Sequence, residues 1–136
     1  MTHSEDRLVF RLRTVRGSVD GRAYRDTDLT SVSTDTIVLN LEAASVTDSG
    51  VLALPDLPHL RCIDLDSTGI TDKGLQKIRQ FSNLEEVWLE DTKITDAGLA
   101  LLSQLKKLRF VSVHESAVSD QGVDGLRQAI PGIEIG

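Results

Sequence analysis

The chain has little cysteine, few aromatic residues and no long apolar run. Cys62 is the only cysteine among 136 residues, so no disulfide can form within the chain, and a lone thiol is typical of a reducing compartment. Aromatic residues make up only 4%, which requires a core of Leu, Ile and Val. No stretch reaches the roughly 18 apolar residues of a membrane span, and the N-terminus has no basic segment leading into an apolar one. These absences predict a cytoplasmic protein without a membrane partner.

Basic residues are also scarce, which argues against a nucleic-acid partner. Lys and Arg number 15 against 21 Asp and Glu, and the net charge is −6. Nucleic acids and anionic membranes attract clustered Lys and Arg, so a basic protein or peptide is the better match. The sequence lacks a phosphate-binding loop, a dinucleotide glycine pattern and a Gly-x-Ser-x-Gly elbow. We therefore predict no enzymatic activity and no cofactor.

One motif occurs four times at a fixed interval of 24 residues. Its pattern is Thr-Asp-x-Gly-(Leu/Val), with Ser for Thr in the last copy, and it occupies Thr47–Val51, Thr71–Leu75, Thr95–Leu99 and Ser119–Val123. A constant period of this size is typical of a stacked repeat protein. Within each copy, Thr or Asp is expected to cap the helix that follows, and Gly is expected to allow close packing. The hydroxyls of Thr68, Thr92 and Ser116 are expected to bond loop backbone between successive repeats.

Apolar residues recur at the same positions of each repeat. The strand positions are Leu39, Ile63, Val87 and Val111, followed by Leu41, Leu65, Leu89 and Val113; the last position of the helical part is Leu57, Phe81, Leu105 and Ala129. Each repeat begins with alternating apolar residues and continues with spacings of three and four, which predicts a short strand followed by a short helix. Stacking places the strands side by side in a parallel sheet with the helices on the opposite side.

The repeated string resembles a known family. The pattern Leu-x-x-Ile-x-Leu-x-x-Thr-x-Ile-Thr-Asp-x-Gly-Leu runs from Leu60 to Leu75 and, with Val87 at its fourth position, from Leu84 to Leu99. It is similar to the leucine-rich repeat, in particular the bacterial ITDxGL form, which is akin to cysteine-containing repeats and related to the ribonuclease-inhibitor horseshoe. The resemblance covers residues 36–136 and implies an α/β solenoid of about four repeats that binds proteins rather than catalysing a reaction.

The two ends of the chain depart from the repeat. Residues 1–35 are predicted to form a capping segment, and residues 36–136 are predicted to form the repeats. In the cap, alternation of Leu8, Phe10 and Leu12 predicts a strand, and Asp20-Gly21 predicts a hairpin turn between residues 15–19 and 22–24. At the other end, Ile133-Glu134-Ile135 predicts a final strand.

Strand residues between the core positions are predicted to face outward on the concave side of the sheet. The first outward row is Val38, Cys62, Glu86 and Phe110, and the candidate protein-binding residues are Glu42, Asp64, Asp66, Glu86, Trp88, Glu90, Asp91, Phe110, Ser112, His114 and Glu115. Carboxylates dominate this set, and neighbouring strands lie ~4.8 Å apart, so Glu42, Asp66 and Glu90 form a ladder of like charge. Such a face is suited to a basic partner, although a merely solvated, aggregation-resistant face is the alternative.

Trp88 is the aromatic residue that distinguishes this face. Its position predicts an outward side chain near Phe110, where the ring can receive Arg or Lys as an interface hot spot. Alternatively, Trp88 lies flat over the aliphatic parts of its neighbours.

Four other functions have weaker support in the sequence. His114, Glu90 and Asp66 are an alternative site for a divalent ion, but no compact metal motif is present, so no resident metal is predicted. His59 and Cys62 are too poorly supported for a nucleophilic pair. A third possibility is a structural subunit that packs through its convex helices. Finally, residues 1–25 hold six Arg against three acidic residues, which allows self-association with the acidic face of a second copy.

Overall fold

A six-stranded parallel sheet and a row of short helices form the two sides of the molecule. The structure is a computed structural model that describes residues 16–136. Each strand pairs in parallel with the next one along the chain, in the order β1 (Ser18–Asp20), β2 (Val38–Asn40), β3 (Cys62–Asp64), β4 (Glu86–Trp88), β5 (Phe110–Ser112) and β6 (Glu134–Ile135). The predicted α/β solenoid and the predicted final strand are thereby confirmed.

The helices follow the motif in every repeat. They are α1 (Asp48–Leu52), α2 (Asp72–Ile78), α3 (Asp96–Leu101) and α4 (Asp120–Ala129), with 3-10 helices at Asp26–Ser31 and Leu102–Gln104. Each α-helix begins at the Asp of the motif, where a carboxylate is favoured by the helix dipole. We call one strand together with its following helix a coil.

The core lies between the sheet and the helices, along the whole stack. Leu39, Ile63, Val87 and Val111 align in register across β2 to β5 and are fully buried. Ala129 does not belong to this core, because the additional residue near Pro131-Gly132 shifts the last coil and buries Ile130 instead. Each buried Leu or Ile contributes about 2–5 kcal/mol, judged by the usual cost of truncation to Ala.

The Asp of the motif links each coil to the next one. Asp48 Oδ1 accepts a hydrogen bond from Thr71 N (2.9 Å), and its Oδ2 accepts one from Thr71 Oγ1 (2.6 Å). The same pair of bonds, which we call the inter-coil clasp, joins Asp26 to Thr47, Asp72 to Thr95, and Asp96 to Ser119. The predicted side-chain cap forms at Thr71 and Ser119 but not at Thr47 or Thr95. The Asp carboxylate instead serves the neighbouring coil.

The Gly of the motif makes room for the clasp, as predicted. A Cβ at Gly98 would lie 2.0 Å from Asp72 Oδ1, and one at Gly122 would lie 2.2 Å from Asp96 Oδ1. The prediction for the hydroxyl column is wrong in one respect. Thr68 Oγ1 donates to Leu65 O and Thr92 Oγ1 donates to Leu89 O, both at 2.7 Å, so these bonds close a turn inside one coil instead of joining two coils.

The hairpin predicted at Asp20-Gly21 is wrong. β1 runs parallel to β2, with Ser18 opposite Val38, and Gly21 N donates to Asn40 O (2.7 Å). Gly21 is required for close packing, because a Cβ there would lie 2.6 Å from Leu41 Cδ2. The strand predicted around Leu8–Leu12 lies outside the described residues, and the capping role of residues 1–35 stays a prediction.

Candidate functional site

The first outward row of the concave face is buried, contrary to the sequence prediction. Val38, Cys62, Glu86 and Phe110 are 1%, 0%, 4% and 6% exposed. Val38 and Cys62 form a small apolar cluster on this side of the sheet, and the side chains of Ile37 and Trp88 pack against it. Sequence alternation assigned the face correctly but missed this covering layer, so Glu86 and Phe110 offer a partner little surface.

Trp88 is half-buried at the centre of this face. Its ring centroid lies 4.8 Å from that of Phe110, with the planes tilted by 53°, and its Nε1 donates to Glu86 Oε1 (3.2 Å). The alternative interpretation of Trp88 as a cover for its neighbours is thus correct in part. The indole is not fully covered and keeps a partly exposed surface.

Several carboxylates lie close together on the concave face, near the C-terminal ends of the strands. Glu42, Asp64 and Asp66 each place an oxygen within 4.8 Å of the other two. Two unit charges at that separation repel by roughly 0.9 kcal/mol in water and 3.5 kcal/mol at an effective dielectric constant of 20. We call these three residues and Glu90 the acidic cluster.

Burial and mutual repulsion make Asp64 and Asp66 hard to ionise. Loss of solvent and, next, the charge of Asp64 raise the pKa of Asp66 to about 8. Burial also raises the pKa of Asp64 to about 6, against the opposing effect of the hydrogen bond from Asp66 N. Within residues 16–136 no Lys, Arg or His lies at ion-pair distance from the cluster. Because Asp64 and Asp66 are only 5% and 9% exposed, an incoming cation would first meet the exposed Glu42 and the half-buried Glu90.

Backbone bonds hold the acidic side chains in place. Asp64 Oδ1 accepts from Asp66 N (2.9 Å), and Asp66 Oδ1 accepts from Glu90 N on the adjacent coil (2.7 Å). Three residues after the end of each of β2 to β5, a non-glycine residue adopts a positive φ between 54° and 59°: Ala43, Ser67, Asp91 and Glu115. This left-handed turn leaves Asp91 and Glu115 exposed at the margin of the face, where Asp91 Oδ2 accepts from Ser67 Oγ (3.0 Å).

The alternative chemical sites predicted from sequence are not assembled. His114 is exposed and lies 3.6 Å from Glu115, two strands away from Asp66, which is ~10 Å. The carboxylates that do converge in the described part of the chain are Glu42, Asp64 and Asp66. The buried Cys62 thiol has a pKa raised above its ordinary value by loss of solvent, so it is not an activated nucleophile for His59. Ser112 is buried at 4% exposure and offers no surface either.

Sequence reasoning missed a group of charged residues just before the strands. Arg61 Nε donates to Glu85 Oε2 (2.6 Å), and Arg109 Nη1 lies 3.3 Å from Glu85 Oε1. Burial opposes ionisation of Glu85, but hydrogen bonds from Arg61 and Arg109 outweigh it and lower the pKa of Glu85. The three residues are 24 positions apart, so a column taken one position ahead of the strands would have revealed them.

Comparison with known proteins agrees with this architecture. A family model described as "Leucine Rich repeat" matches residues 56–78. Internalin C2 of Listeria monocytogenes has a similar structure, with a TM-score of 0.63 and 23% identity over 81% of this chain and 46% of that protein. A leucine-rich repeat protein of Leptospira interrogans gives a TM-score of 0.56 and 18% identity over 75% of this chain and 25% of that protein. A search of curated proteins gives no match.

These likenesses concern the fold, and this chain spans less than half the length of either structure. In the described part of the chain, no helix has the length and apolar character needed to cross a membrane. Leucine-rich repeats generally serve as protein-interaction modules. The matched repeat, the parallel sheet and the structural neighbours together support a leucine-rich repeat fold for this chain.

Proposed function

We propose that this chain is a non-enzymatic protein-interaction module that binds a basic protein or peptide on its acidic concave face. The observation that carries the proposal is the acidic cluster itself: Glu42, Asp64, Asp66 and Glu90 lie together without a cationic partner in the described residues. Half-buried Trp88 lies beside them and offers its ring to Arg or Lys. The inter-coil clasp, built from Thr-Asp-x-Gly, supports the ITDxGL subtype.

The electrostatics of the acidic cluster favour a cation over a neutral ligand. A Lys or Arg placed beside Asp64 and Asp66 relieves their mutual repulsion and lowers both pKa values toward the ordinary range. Binding at neutral pH should therefore release protons. The face is small, since four strands span only ~15 Å, so we expect modest affinity, in the micromolar range.

Charge reversal within the acidic cluster tests the site. Glu90→Lys should weaken binding about tenfold, because a cation then faces the basic partner. Proteins captured from the native host by the wild-type chain should be basic and should elute as NaCl rises from about 50 to about 500 mM. Trp88→Ala should reduce the same capture, with folding of each variant checked by circular dichroism.

Lys73→Glu is the matched control, since Lys73 is exposed on α2, away from the concave face, and carries a single charge to be reversed. It should capture the same proteins as the wild type. Capture of one unchanged set of proteins by all three variants would show that the concave face is not the binding site.

A further inference from the structure

A groove runs along the rim of the sheet where the strands begin. Its volume is about 290 Å³, and it is lined by Ile37, His59, Arg61, Asn83, Glu85 and Lys107. We call it the rim groove. The lining residues occupy two equivalent positions that recur every 24 residues, so the groove crosses the coils just ahead of β2, β3, β4 and β5.

Positive charge prevails in the rim groove. Arg61, Lys107 and the adjoining Arg109 provide three cations, and Glu85 provides one carboxylate. The sign is therefore opposite to that of the acidic cluster, which lies at the other end of the same strands.

Hydrogen-bond donors remain available in the rim groove. Arg61 binds Glu85 through Nε, and its two terminal nitrogens have no partner within residues 16–136. Lys107 Nζ donates to Asn83 Oδ1 (2.7 Å), which leaves two of its three protons free in the same part of the chain. Asn83 is itself held by the bond from its Nδ2 to Pro58 O (2.7 Å). Terminal guanidinium nitrogens and an ammonium group are the donors that bind carboxylates.

Geometry connects the rim groove to the acidic cluster through Trp88. Arg61 and Asp66 lie on the same coil, five positions apart, which corresponds to ~16 Å of extended chain. Ile37 lines the rim groove and packs on the apolar cluster that Trp88 also contacts. A single extended segment can therefore touch cations, apolar surface and carboxylates in that order.

We propose that the rim groove is a second subsite of the binding surface, which receives a carboxylate of the bound peptide from an Asp or Glu placed about five residues from its basic residue. This inference rests on the proposed function, because the basic residue of the same peptide occupies the acidic cluster. The occupant is an extended peptide with opposite charges at its two ends and an apolar residue between them.

Selection from a random seven-residue peptide library displayed on phage tests this subsite. Seven extended residues span ~23 Å, enough to reach both ends of the surface. The library is selected in parallel on the wild-type chain, Lys107→Glu, Glu90→Lys and the control Lys73→Glu. Wild type and control should enrich peptides in which an acidic and a basic residue are about five positions apart, and Lys107→Glu should retain the basic residue but lose the acidic one.

The two proposals fail in different ways. Basic peptides without an acidic residue on the wild type would overturn the rim subsite and leave the proposed function standing. Acidic peptides without a basic residue would overturn the proposed function and, with it, the second subsite, and a wild type that enriches neither kind of peptide would also overturn both. For one selected peptide, replacing its Glu by Gln should weaken binding about threefold to fivefold, as measured by fluorescence anisotropy, and Lys107→Glu should abolish this difference.

Discussion

Two ladders of aspartates run through this molecule, and they behave in opposite ways. The clasp ladder consists of Asp26, Asp48, Asp72 and Asp96, and each carboxylate receives an N–H and an O–H from the next coil. The second set, which we call the concave ladder, belongs to the acidic cluster. In it Asp64 and Asp66 lie beside Glu42, so each carboxylate has neighbours of like charge instead of hydroxyl donors. The clasp ladder has one Asp on each coil, whereas Asp64 and Asp66 lie on the same coil. In both sets the neighbouring groups determine whether a carboxylate stabilises the fold or lies among groups of like charge.

The two ladders differ in the direction in which the pKa of a carboxylate is shifted. Hydrogen bonds from the Ser119 hydroxyl and backbone lower the pKa of Asp96, whereas burial and neighbouring charge raise the pKa of Asp66. Asp96 is consequently ionised, and its carboxylate is part of the structure. Asp64 and Asp66, which have no cationic partner within residues 16–136, are the residues from which the binding proposal is argued.

The largest expected effect comes from filling the space beside the clasp. Gly98→Ala places a Cβ 2.0 Å from Asp72 Oδ1, so the clasp to Thr95 must shift. Even after the better helix propensity of Ala, the free energy of unfolding should fall by about 1–3 kcal/mol. Urea unfolding measures the change.

Gly125→Ala is the matched control for Gly98→Ala. Gly125 also lies in a helix, α4, but a Cβ there meets nothing within 4 Å. This substitution should raise the free energy of unfolding by about 0.5–1 kcal/mol. Equal effects of the two substitutions would contradict the steric role assigned to the motif glycine.

Removing one carboxylate from the clasp should have the next largest effect. Asp72→Ala deletes the acceptor of Thr95 N and Thr95 Oγ1, at a cost of about 1–2 kcal/mol. In the double variant with Gly98→Ala, the steric conflict disappears, so the two losses should not add. Additive losses in a double-mutant cycle would show that Gly98 and Asp72 act independently.

The 24-residue period made the solenoid predictable from sequence, because every coil repeats the same apolar positions. It also located the concave face and its carboxylates. The clasp was not predictable in full, since Asp72 and Thr95 are 23 residues apart and only stacking brings them together. From the sequence alone, a helix cap within one coil explains the Thr-Asp pair equally well.

Departures from the period mark the places where sequence reasoning failed. Asp20-Gly21 has the composition of a hairpin turn, but Gly21 is small because Leu41 packs over it. Val38 and Cys62 alternate correctly with the core positions, yet Trp88 and Ile37 cover them. Strand alternation gives the direction of a side chain and contains no information about a neighbour large enough to bury it.

The smallest expected effect is a pH dependence of stability caused by the concave ladder. In the folded chain the pKa of Asp64 is about 6 and that of Asp66 about 8, both above the ordinary value of 3.8. The folded state therefore binds more protons than the unfolded state between pH about 4 and 8, and its stability should decline as the pH rises through this window.

Asp66→Asn should flatten this decline, because it removes the charge while its Oδ1 can still accept from Glu90 N. Near pH 3, where Asp66 is protonated in both states, we expect almost no difference from the wild type, and the gain in stability should grow with pH to about 1 kcal/mol at pH 8. Asp96 has a lowered pKa, so Asp96→Asn should instead cost stability at pH 5 and above, and this cost should fade under stronger acid. Urea midpoints measured at pH 3, 5 and 8 give both slopes. Parallel pH profiles for the two variants would mean that Asp96 and Asp66 do not differ in protonation. The interpretation of the acidic cluster as a group of carboxylates without a compensating charge would then be wrong.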